Sequence, residues 1–514
     1  MNGAEALVRT LRNADVDVCF ANPGTSEMHF VAALDRVSGV RCVLSLFEGG
    51  ATGAADGYAR MADKPAATLT HLGTGLTNSL ANVHNARKAQ TPMINIVGDH
   101  ATYHLRHESP LKSDVEGLAR PMSHWLGRAD TSAEVGPKAA EAIAAASLSP
   151  GQIATLILPA DASWSEGGVI GTIAPKQAPA SVSGDTVREV AALLRQGGAV
   201  ILLGGKALRA DMIELAAAIG SKTQAKLLAQ GRDPRIERGA GRVPIARLPT
   251  QTDQAVEMLK GVRTIVLVGS KPPVANFAHP GKPSAFAPQT CRFIELASGA
   301  NDIGGALAAL ADEVGAKANS DLRIARVNME LPDGGITPEK IAQSLAALMP
   351  ENAILCDEAV TTGRPIFGTT RAAAPHDYLS LTGGAIGIGF PMAAGAAIAC
   401  PDRKVILLQA DGSGLYTVQS LWTHASENLD ILTIVFANNS YAILRNELKN
   451  VGIENPGENA IRMLSFNNPP IGWTALSKSF GVPAERVTTM DEFNRALRAG
   501  VAQRGPSLIE VALS

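Results

Sequence analysis

The chain has 514 residues, 46% of them hydrophobic and 18% charged, with a formal net charge of −2. That length exceeds one compact core and suggests three domains, and the near-neutral balance leaves no electrostatic case for a nucleic-acid or anionic-membrane partner. Five cysteines (Cys19, Cys42, Cys291, Cys356, Cys400) are scattered without a CxxC pair, which fits reduced thiols and a cytoplasmic location and argues against a disulfide framework or zinc ribbon.

Charged residues Glu5, Arg9 and Arg12 interrupt any apolar stretch at the start, so no signal peptide is expected. Short β-like runs then alternate with helical patterns. The first third gives VDVCFA, RCVLSL, AATLTH, MINIVG and ATLILP; the middle gives AVILLGG, the helix-like ADMIELAAAIGSK, TIVLVGS and RFIELA. AILCDEA, KVILLQA, ILTIVFA and LIEVAL follow in the last third. This alternation is that of an α/β protein whose strands are buried on both faces of parallel sheets. Two Gly-, Pro- and polar-rich stretches, Ser165–Gly184 and Ala316–Lys340, read as linkers. The expected organisation is three open α/β domains, 1–165, 183–315 and 335–514, with mainly parallel sheets of a six-stranded type. One uncharged segment, Tyr378 to Cys400, is long enough to span a membrane. Its five glycines and Pro391 are better explained by a buried, tightly packed turn and helix.

In open α/β sheets, ligands bind at the carboxyl ends of strands, and the polar residues that follow the runs are the candidates. After KVILLQA comes Asp411-Gly412-Ser413, and Asn438-Asn439-Ser440 follows ILTIVFA. A helix over LYTVQSLWTHASENL and a return strand would bring Asp411 and Asn438 to one sheet end. A carboxylate, an amide oxygen and a backbone carbonyl are hard oxygen donors suited to Mg²⁺. Gly412 and Ser413 are expected to open the helix, where free N–H groups favour a phosphate. A simple Asp-Gly turn with an Asn cap accounts for the same residues. A dinucleotide fold lacks its fingerprint, because the Gly73 and Gly387 runs both break at the last glycine.

Gln409–Tyr441 resembles the thiamine diphosphate (ThDP) binding motif, Gly-Asp-Gly followed after nearly thirty residues by Asn, with Ala410 in place of the first glycine. LFEGGATGAADGYAR, LTHLGTGLTN and Asn22-Pro23-Gly24-Thr25-Ser26-Glu27 resemble segments of the decarboxylase and acetolactate synthase branch of that family. The resemblance covers nearly the whole chain, in the order pyrimidine-binding, central and diphosphate-binding domain. It implies ThDP and Mg²⁺ as cofactors, the metal being held by Asp411, Asn438 and the carbonyl of Ser440, with Asn439 a bystander. Glu48 would hydrogen-bond the pyrimidine ring, so that the cofactor performs the carbon chemistry. His71 would relay a proton, as a histidine does in benzoylformate decarboxylase, and Thr25, beside Ser26, would bind the substrate carboxylate. Gly384 would accept from the cofactor amino group and Ile386 would wedge its two rings. Thr361 and Thr362 would contact diphosphate, and Ile443, Leu444 and Glu447 would start a helix facing the substrate. His279 lies near a second catalytic histidine of benzoylformate decarboxylase.

His100 and His104 have a zinc-like spacing without the HExxH glutamate, so pocket lining is their more plausible use.

The resemblance implies decarboxylation or carboligation of a 2-oxo acid, at sites shared between subunits of a homodimer or homotetramer. Alternatives are a 2-hydroxyacyl-CoA or oxalyl-CoA lyase, which needs a basic groove in the central domain, and a non-catalytic cofactor-binding scaffold.

Overall fold

The computed structural model describes residues 1–513. Six strands form the first sheet: β1 (Val18–Ala21), β2 (Arg41–Leu44), β3 (Ala66–Thr70), β4 (Met93–Asp99), β5 (Trp125–Arg128) and β6 (Ile153–Pro159). They run parallel in the order β2-β1-β3-β4-β6-β5. The middle of the chain adds β7 (Ala199–Leu203), β8 (Lys226–Ala229), β9 (Ile236–Arg238), β10 (Ala246–Arg247), β11 (Thr264–Val268) and β12 (Arg292–Ala297). Five of these make a parallel sheet, β10-β8-β7-β11-β12. The last third contributes β13 (Ala353–Glu358), β14 (His376–Ser380), β15 (Val405–Ala410), β16 (Ile431–Ala437), β17 (Ala484–Val487) and β18 (Ser507–Ala512).

The third sheet is ordered β17-β18-β16-β15-β13-β14-β9, so the middle of the chain lends it one antiparallel edge strand. The sheets therefore have six, five and seven strands rather than a uniform six. β3, β4, β6, β7, β11 and β16 are buried along their whole length, as expected for apolar strands covered by helices on both faces.

The uncharged segment forms β14 and the eleven-residue helix Gly389–Ala399. Among the described residues no helix is long and apolar enough to cross a membrane. This helix packs against the other small-residue helix, Glu48–Ala62, at a distance that only glycine permits. A Cβ on Gly57 would lie 2.1 Å from the carbonyl of Met392, and one on Gly395 would lie 1.8 Å from that of Ala54. The two glycine-rich stretches are thus each other's partners.

A buried ion pair marks the meeting point of the three sheets. Arg60 binds Asp56 through two nitrogens (2.8 and 2.6 Å), with Thr91 Oγ1 donating to the same carboxylate at 2.6 Å. Arg60 also donates to the carbonyls of Ser380 (2.7 Å), at the end of β14, and Pro234 (3.3 Å), in the central segment.

Candidate active site

Parallel register places the polar residues at common edges. In the first sheet Ala21 pairs with Leu44 and Leu69, so the segments after β1, β2 and β3 leave from neighbouring strand ends. Glu48 is buried at the first turn of its helix, where one oxygen, Oε2, accepts from Asn78 Nδ2 (3.1 Å). A Cβ on Gly75 would lie 2.8 Å from Glu48 Oε1 and 3.4 Å from His71 Cβ. Glu48 and His71 therefore flank one space that a side chain at position 75 would fill. The Asn22–Glu27 segment closes on the same histidine. A Cβ on Gly24 would collide with the His71 ring, and Glu27 Oε2 lies 2.9 Å from His71 Nδ1. Thr25 opens the short 3₁₀ turn Thr25–Glu27 and is exposed, with Ser26 half-buried beside it.

Glu27 is the functional candidate that the sequence did not single out. An acid three residues after a Pro-Gly turn reads as a cap, and Oε2 does accept from Gly24 N (2.8 Å). Burial raises its carboxyl above the usual range, with the adjacent His71 pulling the other way.

In the third sheet Glu358 pairs with Gln409, and Ala410 with Phe436. Asp411 and Asn438 consequently emerge side by side. Asp411 is 1% exposed, and burial pushes its carboxyl up to about 6. Its hydrogen-bond partners are backbone N–H groups, Gly412 N to Oδ1 (2.8 Å) and Asn439 N to Oδ2 (2.6 Å), and not Lys or Arg side chains. The Asn439 backbone, at φ +50°, turns its N–H to meet the carboxylate. Asn438 Oδ1 accepts from Ser440 N at 2.9 Å, tightening the loop. A buried carboxylate without a cationic partner, an amide oxygen and a nearby carbonyl fit a hard divalent cation. Thr361, Thr362, Asn438 and Ser440 line one cavity of about 710 Å³.

The expected helix opening is present as one short turn, Asp411–Gly414, which contains Gly412 and Ser413. A second helix, Ser420–Ser426, follows it. The Gly412 N–H is occupied by Asp411, and Ser413 Oγ bonds to the carbonyl of Ala410 (3.2 Å) and the amide of Gln409 (2.9 Å). The Gly412 N–H, one of the helix-start donors the sequence suggested, is thus already taken.

Gly384 and Ile386 belong to the strap 382–388 between β14 and the helix Gly389–Ala399. Glu358, buried at the end of β13, grips the far end of the strap. Its carboxylate accepts from the N–H groups of Gly387 (2.7 Å), Ile388 (3.2 Å) and Gly389 (2.7 Å), and from Gln409 Nε2 (2.9 Å).

His279 Nε2 meets Glu447 Oε1 in a short hydrogen bond, joining a central loop to the helix Ala442–Asn450. Ile443 and Leu444, on that helix, are exposed. His100, His104 and His107 lie against one another in tilted contacts, with ring centroids 5.4 Å apart at each step, and His104 ends a 3₁₀ turn rather than lying on an α-helix. Among the described residues no group of three His, Cys, Asp or Glu side chains could hold a metal.

Within one chain His71 stands apart from the strap. The helix Leu72–Ala89 begins after His71, and its Asn85 touches the strap at Ala385. At about 1.5 Å of rise per residue, His71 and Asn85 stand about 20 Å apart.

Residues 1–118 match the thiamine pyrophosphate enzyme N-terminal TPP binding domain and residues 366–511 the C-terminal TPP binding domain. Among individual proteins, the chain is 49% identical to Mycobacterium tuberculosis IlvX, provisionally named an acetolactate synthase large subunit, over 100% of this chain and 99% of that one. It is 26% identical to benzoylformate decarboxylase of Pseudomonas aeruginosa, over 98% of both chains. The fold matches the ThDP-dependent 4-hydroxybenzoylformate decarboxylase of Rhodococcus jostii RHA1 with a TM-score of 0.84 at 23% identity, over 100% of this chain and 99% of that one. Sequence motifs, sheet architecture and relatives agree that this chain belongs to the thiamine diphosphate-dependent enzymes, in the branch that includes acetolactate synthases and benzoylformate decarboxylases.

Proposed function

We propose that the protein is a cytoplasmic, Mg²⁺-dependent enzyme that decarboxylates a 2-oxo acid and releases an aldehyde or passes the remaining fragment to a second carbonyl. The observation that carries this reading is the meeting of Asp411, Asn438 and Ser440 at adjacent strand ends, with Thr361 and Thr362 sharing a cavity with Asn438 and Ser440. Asp411, Asn438 and the Ser440 carbonyl would hold Mg²⁺, and through it the diphosphate. ThDP, when bound, supplies the carbon nucleophile and electron sink that loss of CO₂ requires. Glu48 holds a proton at the pyrimidine ring, Thr25 orients the substrate carboxylate, and His71, paired with Glu27, delivers the proton that completes an aldehyde. Proton access and pocket shape set the balance between aldehyde and 2-hydroxy ketone.

A site between two copies follows from the same reading. His71 and the strap stand about 20 Å apart along one helix, too far to serve one cofactor molecule. Glu48 and His71 of one subunit would complete the cofactor site of another, in a homodimer or homotetramer. The exposed Ile443 and Leu444 give the second subunit an apolar surface to cover.

One observation favours the acyl-CoA lyase as a second reading. A cavity of about 770 Å³ opens where β7 and β11 end, and Lys64, Lys176 and Lys206 join the ion-paired Arg209 and Arg235 and the acids Asp15 and Asp63 on its walls, a positive excess of the kind a nucleotide-bearing acyl-CoA needs. Intact Glu48, Asp411 and Asn438 speak against a non-catalytic scaffold.

The test is CO₂ release from a panel of 2-oxo acids with ThDP and Mg²⁺, for wild type and Glu48→Gln. Release from one substrate that the substitution abolishes is expected. ThDP binding without release from any acid would overturn the 2-oxo acid assignment and bring the acyl-CoA reading forward.

A further inference from the structure

We propose that Asn85 is a positioning residue for the strap 382–388, setting the main chain that presents Gly384 and Ile386. This rests on the ThDP reading above and goes beyond it, because Asn85 lies outside the segments that carry the resemblance.

The strap has little means of holding itself. Gly384 and Gly387 sit at φ +81° and +98°, outside regular structure, and the segment belongs to no helix or strand. Its main-chain groups are satisfied from outside. On one side the Asn85 carboxamide pairs with both main-chain groups of Ala385, Nδ2 donating to Ala385 O (2.7 Å) and Oδ1 accepting from Ala385 N (3.2 Å). The adjacent contacts run along the same line. Thr382 Oγ1 donates to Asn85 O (2.8 Å), and His84 Nε2 lies 3.1 Å from Gly383 O. On the other side stand Glu358, described above, and Thr417 Oγ1, which donates to Gly387 O (2.6 Å).

An amide is the group this geometry requires. Asn85 is fully buried, and its Nδ2 also donates to Asn82 Oδ1 (2.9 Å). A carboxylate at 85 could not donate to Ala385 O, and a shorter apolar side chain would take the partner from both the N–H and the C=O of Ala385. Ala385 lies between the two residues that the cofactor reading uses, so a shift of its peptide moves both. The fit is close from the strap side as well, since a Cβ on Gly383 would come within 2.6 Å of Asn85 Oδ1.

The experiment compares the full-length wild type with Asn85→Asp and Gly383→Ala. The first removes a donor at constant size; the second pushes the amide from the strap side and remains available if the first does not fold. ThDP affinity is titrated by tryptophan fluorescence with Mg²⁺ saturating. Amide hydrogen exchange over 383–388 is measured on the cofactor-free proteins. Near-ultraviolet circular dichroism of the bound cofactor and the kcat and KM for the 2-oxo acid complete the set. Both variants are expected to bind ThDP about ten- to a hundredfold more weakly and to exchange the strap amides faster. They should also change the dichroism of bound cofactor and lower kcat with the substrate KM preserved. Folded variants with wild-type affinity, exchange and dichroism would overturn the positioning role. Wild type that binds no ThDP would instead overturn the reading on which it rests.

Discussion

Glu27 divides its two carboxylate oxygens unequally around His71. Oε2 meets Nδ1 at 2.9 Å, while Oε1 is buried with no hydrogen-bond partner. The native fold thus favours the protonated acid. Because the folded-state value is raised, the stability this group contributes is full below the ordinary range, near pH 4.5, and is lost as pH climbs through the raised value. Glu27→Gln, which cannot ionise, should gain on wild type in apparent Tm between pH 5 and pH 8. A gap that stays constant across that range would show that Glu27 keeps an ordinary carboxyl.

Metal dependence gives a second expectation. Dialysis against EDTA should release ThDP from the wild type, and Mg²⁺ should restore binding. Asp411→Ala should bind ThDP at least about a hundredfold more weakly at any Mg²⁺ concentration, since even residues behind a metal ligand cost ten- to a hundredfold. Equal ThDP retention before and after EDTA would remove the metal from the site.

His279 and Glu447 should behave as one unit. The hydrogen bond from His279 holds Glu447 below the usual carboxyl range. His279→Ala and Glu447→Gln are each expected to lower kcat by about ten- to a hundredfold, and the double variant should be no worse than the poorer single. Additive losses in kcat would separate the two residues.

The Asp56–Arg60 pair makes a prediction about the fold. Both side chains are almost completely buried, so removing one partner strands the other. Arg60→Met should cost about 3–5 kcal/mol, with the contacts to Ser380 and Pro234 lost together. Thermal unfolding followed by circular dichroism measures this, and an unchanged Tm would mean that the three sheets do not depend on the junction.

The sequence showed what is local and repetitive. Runs such as AVILL and ILTIVFA announce buried parallel strands because every position is apolar. Trp125–Arg128 was hidden by its glycine and arginine, and His376–Ser380 by its histidine and aspartate. Ile236–Arg238 could not be foreseen as a strand of the last sheet, since its partner lies about 140 residues away and pairing across that distance leaves no periodic mark. The site divided in the same way. Asp411, Asn438, Glu48 and His71 were legible from strand ends and family resemblance. Glu27, Glu358 and Asn85 were not, because each acts on backbone groups brought close only by the folded chain. The helix start expected at Gly412 is only a single turn long, and Asp411 takes the Gly412 N–H for itself.

The helix Leu72–Ala89 starts after His71 and ends just beyond Asn85. In a shared-site dimer it therefore serves two different cofactors, its own subunit's through Asn85 and its neighbour's through His71. Complementation follows. A chain carrying both His71→Ala and Asn85→Asp, paired with a wild-type chain, damages both sites, one lesion in each. Two chains carrying one substitution apiece collect both lesions in a single site and leave the other wild type. Mixed dimers of the single variants should therefore recover half of the wild-type turnover from inactive or impaired parents.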